Sequence, residues 1–382
     1  MDCAIEKLPL TGKHTAYLKT DLHDDFLKRL ISRLHSLSKP WVIAFEDMKS
    51  LQDFGSLDSP QDLCLFPPFD LLPFEQVEGS IPTLKNRMKT LYRLGSFERF
   101  NGGILTTIPT LLQKIVDPRL LVTSSLTFKK GGYITGDGRP RYDRESVIQH
   151  LTESGYRRVY TVENLGEFSA RGFILDFFSL LDDFPTRIEF FDDEVSDVRF
   201  FDPQTQLSLP RGVDSTEGCQ RQEGERLIPP FRETFFKEEN LECFRNRIAD
   251  LKKRYPNSLF LGTLEQKPDR FPTLGGMLLP TQRALVNLLP KDTVFFYVRL
   301  SQALERFRAY EKELFDIYPQ AEYKEIYLKY LRVSESALLS RENVTVLTES
   351  RGPSVSLGDQ AALFADYTVS SDGLAPVKRK SQ

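Results

Sequence analysis

Cysteine, histidine and tryptophan are scarce in this chain, at four, four and one in 382 residues. Cys3, Cys64, Cys219 and Cys243 lie far apart, without metal-ligand spacing and with no secretory leader before them. A disulfide framework is excluded, and a reducing cytoplasm is the expected setting. His14, His23, His35 and His150 form no HExxH-like pair, so no metal site is expected. No apolar run approaches the roughly 20 residues that span a bilayer, and no membrane association is expected. An excess of one charge is also missing. Lys and Arg number 51 against 54 Asp and Glu, a net charge of −3, which does not suit a protein whose main work is to coat nucleic-acid phosphates.

Catalytic patterns are missing too. The nearest approach to a phosphate loop is Leu8-Pro9-Leu10-Thr11-Gly12-Lys13-His14-Thr15. The pattern G-x-x-x-x-G-K-[ST] would need glycine at Lys7 and a hydroxyl at His14; Thr15 comes one place late. Gly12, Lys13 and Thr15 therefore form a degenerate loop that should not grip nucleotide phosphates. No Ser-His-Asp set can be assembled, no DExx box occurs, and the acidic stretch Glu189 to Asp202 falls on turn and edge-strand positions rather than on a paired acid/base spacing. No catalytic residue and no cofactor is assigned.

What is present is a succession of short strands between Gly155 and Leu209. Runs of β-branched and aromatic residues at Arg158–Val162, Phe168–Phe178, Arg187–Phe191 and Val195–Phe201 are separated by Asn164-Leu165-Gly166, Asp182-Asp183-Phe184-Pro185 and Asp192-Asp193-Glu194. That spacing predicts an antiparallel meander. Alternate residues share a face, so Arg187 and Glu189 point one way and Ile188 and Phe190 the other. Arg171 joins the charged face by parity. Such a face is either a solvated sheet surface or a docking surface for a partner, and arginine forks suit the second use.

On either side the pattern alternates strand and helix. Apolar residues at Leu22, Phe26, Leu27, Leu30, Ile31 and Leu34 describe a helix, Trp41–Phe45 a buried strand, and Asp47–Phe54 a second helix. Leu63–Phe74 reads as a strand ending in a proline-interrupted loop, followed by a helix at Ile81–Leu94, a strand at Gly103–Thr107 and a helix at Pro109–Ile115. Short extended pieces then run to Asp143, before a helix at Arg144–Ser154. Pro210–Pro230 is a polar linker or long loop. Beyond it come a helix bearing Leu241, Phe244, Ile248 and Leu251, strands at Ser258–Leu264 and Thr293–Val298, helices at Ser301–Ile317 and Tyr323–Arg332, and a strand at Val344–Leu347. The last 30 or so residues have no periodicity and are expected to be disordered.

Several blocks together resemble one family. Gly166-Glu167-Phe168-Ser169-Ala170-Arg171-Gly172-Phe173-Ile174-Leu175-Asp176-Phe177-Phe178, then Arg187-Ile188-Glu189-Phe190-Phe191-Asp192-Asp193-Glu194, are similar to the interaction domain shared by the excision-repair helicase UvrB and the bacterial transcription-repair coupling factor. Phe66-Pro67-Pro68-Phe69-Asp70-Leu71-Leu72-Pro73-Phe74-Glu75, with Arg87 on the next helix, and Leu288-Leu289-Pro290-Lys291-Asp292-Thr293 extend the likeness to roughly residues 5–348. The resemblance implies an α/β fold: a degenerate P-loop NTPase-like (RecA-like) parallel-sheet domain split by an inserted α+β domain with an antiparallel β-meander. Its expected boundaries are 1–119 and 210–348 for the split domain, 120–209 for the inserted domain and 349–382 for a disordered tail.

The resemblance further implies a non-catalytic module that binds UvrA, with Arg158, Arg171, Arg187 and Glu189 in the contacting positions. An arginine that UvrB carries at the place of Ser169 is absent. RNA polymerase and damaged DNA would be reached only through a missing C-terminal part, because neither a polymerase-binding module nor paired helicase motifs occur. The alternatives are a UvrB-like ATP-dependent helicase or translocase fragment in which Gly12-Lys13 still holds nucleotide, and a structural domain that restrains a following motor.

Overall fold

A computed structural model describes residues 8, 10–18, 24–55, 63–96, 100–136, 138–210, 225–234, 238–278, 282–349, 365–370 and 373–376. The chain divides into two compact units. One comprises residues 1–68, 99–114 and 283–382; the other comprises 69–98 and 115–282.

The first unit is built on an eight-stranded sheet. Its order is Gly373–Pro376, Ala365–Ser370, Lys13–Leu18, Asn343–Glu349, Val294–Val298, Trp41–Phe45, Gly103–Thr107, Leu63–Phe66. Every neighbouring pair is parallel except the first, which is an antiparallel hairpin. Trp41–Phe45, Gly103–Thr107 and Val294–Val298 are buried along their whole length. Their sequences are accordingly almost unbroken apolar runs, as parallel strands covered on both faces must be. Gly103 is required where it stands, since a side chain there would overlap the Trp41 ring. The helix Asp24–His35 buries Phe26, Leu27, Leu30, Ile31 and Leu34 in the core with Trp41, Ile43 and Phe45, as the three-to-four spacing predicts.

The second unit holds two antiparallel arrays. A four-stranded sheet runs Arg226–Ile228, Leu126–Phe128, Ile134–Gly136, Arg139–Tyr142. A five-stranded sheet runs Glu194–Phe200, Thr186–Phe191, Ile174–Phe177, Glu167–Arg171, Arg157–Arg158, antiparallel except for its last pair.

Four expectations need correction. The compact units do not follow the boundaries 1–119, 120–209 and 210–348: residues 69–98 and the stretch from 225 to 282 belong to the same unit as the antiparallel sheets. A buried pair ties two of these stretches together. Arg87, fully buried on the helix Ile81–Ser96, forms a two-pronged ion pair with Glu233, one arm at 3.0 Å, and its guanidinium lies 3.8 Å from the centre of the Phe69 ring. Ser258–Leu264 is not a strand. Ser258 caps the helix Leu259–Gln266 by accepting from the Leu261 amide at 3.2 Å, and Leu261 and Leu264 are buried at helical spacing. The polar linker contributes the strand Arg226–Ile228, while residues 211–224 lie outside the described set. Within the tail, Ala365–Ser370 and Gly373–Pro376 are strands, because the edge of the Lys13–Leu18 strand offers backbone partners in register from His14↔Ala365 to Leu18↔Val369. Residues 350–364 lie outside the described set. Among the described residues, no helix is long and apolar enough to cross a membrane.

Candidate functional site

Register decides which side chains of the five-stranded sheet share a face. Ser169 stands opposite Asp176, Asp176 opposite Arg187, and Arg187 opposite Arg199; one step along, Arg171, Ile174, Glu189 and Asp197 align. The other face carries Phe168, Leu175, Phe177, Ile188 and Phe190, all buried. One side of the sheet is core and the other is a row of paired charges, the ordinary division of an antiparallel sheet.

The charged face is organised by Asp176, whose side chain is fully buried. Arg187 donates to it twice, Nε to Oδ1 at 2.7 Å and Nη2 to Oδ2 at 2.9 Å, and Arg171 Nη2 donates to Oδ2 at 3.2 Å. One carboxylate thus orients two guanidiniums. Arg187 also lies 4.4 Å from the Phe201 ring centre and donates through Nη1 to the Gln206 carbonyl at 3.4 Å, with Gln206 held at φ 60. Arg171 spans toward the Tyr160 ring at 5.4 Å. Its side chain is 40% exposed against 13% for Arg187, so Arg171 presents more surface to a partner and Arg187 more of the support. Glu189 is ion-paired to Arg199, which also bonds Asp197 at 3.2 Å, and Asp197 takes Lys130 at 2.8 Å. That network leaves Glu189 about one-third exposed.

Arg158 is placed differently. It is in register with Phe168, on the opposite face from Glu167, and is exposed at the sheet edge, and Arg157 is the residue in register with Glu167 on the charged side. Arg157 is ion-paired to Glu167 and its side chain is 74% exposed. Burial pushes the Glu167 carboxyl upward, but the amides of Glu163 and Asn164, each donating at 2.9 Å, together with Arg157 and the Asn164 side chain outweigh it, and the group titrates below its usual range. The structure therefore brings Arg171, Arg187 and Glu189 together and leaves out Arg158. Sequence reasoning missed Asp176, Arg199 and Arg157. The first two follow from carrying the Arg187 parity across to the neighbouring strands; the third depends on a two-residue strand too short to show a period.

The degenerate loop does not occupy a phosphate-binding position. Gly12 has φ 83 and its amide donates to Asn343 Oδ1 at 3.2 Å, and Lys13 and Thr15 lie within the strand Lys13–Leu18. A phosphate cradle needs glycine amides at the start of a helix. Here the strand-to-helix connection is 19–23, Lys-Thr-Asp-Leu-His, which contains no glycine. The other place to look for a ligand in a parallel sheet is the carboxyl edge where chain connections diverge. Trp41–Phe45 and Val294–Val298 are such neighbours, since the chain leaves the first toward Leu63–Phe66 and the second toward Asn343–Glu349. That edge is filled by the protein's own charges. Arg299, in the left-handed region at φ 50, donates to buried Glu46 at 3.0 Å, Arg306 pairs with Asp47, and Asp47 accepts from the Ser50 amide at 2.9 Å, which blocks the first turn of the helix Met48–Gly55. Both guanidiniums at this edge are thus engaged by the protein's own carboxylates. Among the described residues no three His, Cys, Asp or Glu side chains converge as metal ligands.

Residues 138–215 match the family described as the UvrB interaction domain. The chain is similar to the transcription-repair-coupling factor of Haemophilus influenzae, 34% identical over 151 residues, 40% of this chain and 12% of that protein. It is similar to that of Escherichia coli at 30% over 173 residues, 44% of this chain and 14% of that protein, and to that of Staphylococcus aureus at 24% over 239 residues, 61% of this chain and 20% of that protein. The matched stretches span a fifth or less of these relatives.

Proposed function

We propose that the chain, whose residues 138–215 match the UvrB interaction domain family, is a docking module of transcription-coupled excision repair, one that recruits UvrA through the charged face of the five-stranded sheet. The observation that carries the proposal is the buried Asp176 carboxylate holding Arg171 and Arg187 side by side. Side chains already fixed by their own partners lose little freedom on binding, which favours affinity. Phe173 and Phe191, 69% and 78% exposed, stand on the hairpins of the same sheet, and Tyr160, 81% exposed, stands on the connection between Arg157–Arg158 and Glu167–Arg171; aromatics and arginines are the side chains that most often dominate interfaces.

In this reading the parallel-sheet unit is a degenerate nucleotide-binding fold that serves as scaffold, and the module has no motor activity of its own. RNA polymerase and damaged DNA are reached through other parts of a transcription-repair machinery. The helicase reading is disfavoured by the Lys13 strand position and by the Glu46–Arg299 pair at the carboxyl edge. The proposal is tested by competition. UvrB carries an interaction domain of the same family, so excess chain should displace UvrB from purified UvrA; a stable three-component complex would contradict a shared docking mode.

A further inference from the structure

The second unit contains a cleft of about 600 Å³, within the size range of ligand sites. Its walls come from the end of the helix Arg144–Glu153, the paired strands Arg157–Arg158 and Glu167–Arg171, the turn at Phe231–Thr234 and the segment Glu78–Ile81. Two glycines let the walls pack closely: Gly155 and Gly166 adopt φ 94 and φ 80, the Arg232 side chain lies against Gly155, and a Cβ on Gly166 would overlap the Phe231 ring. The Tyr156 hydroxyl donates to the Pro229 carbonyl at 2.9 Å and fixes the back.

The lining includes four carboxylates, Glu78, Glu153, Glu167 and Asp269, against two guanidiniums, Arg157 and Arg232. Both guanidiniums are already engaged, Arg157 with Glu167 and Arg232 with Glu78. The surplus charge therefore rests on Glu153 and Asp269, both exposed. An acidic or phosphorylated occupant would meet like charge, whereas a cationic one would find an uncompensated pair of carboxylates.

We infer that this cleft receives a basic segment, a loop or strand end bearing Lys or Arg, of the same partner that docks on the charged sheet face. The inference rests on the docking proposed above. Cleft and face are continuous: the Arg157–Glu167 pair is a wall of one and the end of the other. A partner seated over Arg171 and Arg187 thus meets paired charges on the sheet and negative charge at its edge, a pattern that fixes orientation as well as affinity.

The test is a titration of purified UvrA against the intact chain at several salt concentrations. Glu153→Lys with Asp269→Lys should weaken binding about tenfold at low salt and flatten its salt dependence. Glu305→Lys with Glu313→Lys, the same change in net charge at exposed positions of the helix Leu300–Ile317, should stay within about twofold of the unaltered chain. Unchanged affinity in the cleft variant overturns the inference, and so does an equal loss in both variants, which would assign the effect to net charge. Arg171→Ala with Arg187→Ala is run alongside. If that pair alone loses binding, the cleft falls and the docking face stands; if that pair binds normally, the docking face itself falls. Should the cleft reversal fail to fold, Glu153→Gln with Asp269→Asn takes its place, with a loss of about threefold expected and none contradicting the inference.

Discussion

Asp176 is the residue on which the charged face depends. A buried carboxylate is tolerated only when its charge is answered and its lone pairs are bonded, and here three guanidinium hydrogen bonds do both. Removing it leaves Arg187, only 13% exposed, without its counter-charge. Asp176→Ala should lower stability by about 3 kcal/mol, the lower end of the range for breaking a buried pair because Arg171 reaches solvent; Asp176→Asn, which keeps the shape, should cost less. Urea unfolding measures both, and a loss below about 1 kcal/mol for the alanine variant would mean the arginines are held by something else. Glu167 gives a pH signature. Its folded pKa is depressed, so the stability it contributes is fully present above the ordinary glutamate value of about 4.3 and is lost as pH falls through the lowered folded value. Glu167→Gln should flatten the acid limb of the stability profile; an unaltered limb would show that its hydrogen bonds confer no such linkage.

Among the elements, two glycines separate backbone strain from packing. Gly166 and Gly172 both adopt positive φ, but a side chain on Gly166 runs into Phe231, whereas one on Gly172 meets nothing within 4 Å. Gly172→Ala should cost about 1 kcal/mol, the left-handed penalty alone, and Gly166→Ala about 3 kcal/mol once overpacking is added. Equal melting temperatures for the two variants would contradict the turn packing. The same elements show what a sequence can disclose. The meander was legible because one face is core, so Ile188 and Phe190 alternate with Arg187 and Glu189. Trp41–Phe45 and Val294–Val298 were legible as uninterrupted apolar runs. Arg158 came from the family resemblance alone, since a two-residue strand has no period to place it, and Ser258–Leu264 was misread as a strand because a short apolar run fits strand or helix until the Ser258 cap is weighed. The role of Asp176 could not emerge from its own strand, since its partners come from two others. The Glu46–Arg299 pair spans over 250 positions of sequence and leaves no local trace.

For the molecule as a whole, each unit has a distinct part. One presents an ordered row of charge on an antiparallel sheet; the other is a parallel sheet whose usual ligand edge is closed by its own ion pairs. The docking role proposed above carries a prediction for nucleotide. Calorimetry with ATP and magnesium should show no binding, and Lys13→Ala should leave that result and the melting temperature unchanged; tight ATP binding lost in Lys13→Ala would restore the helicase reading. The central claim is most directly tested by the affinity of UvrA for a correctly folded Arg171→Ala, Arg187→Ala chain. Truncating an interface arginine typically costs about 2 kcal/mol or more, so the double variant should bind at least about 100-fold more weakly than the unaltered chain, whereas equal affinity would contradict docking through this face.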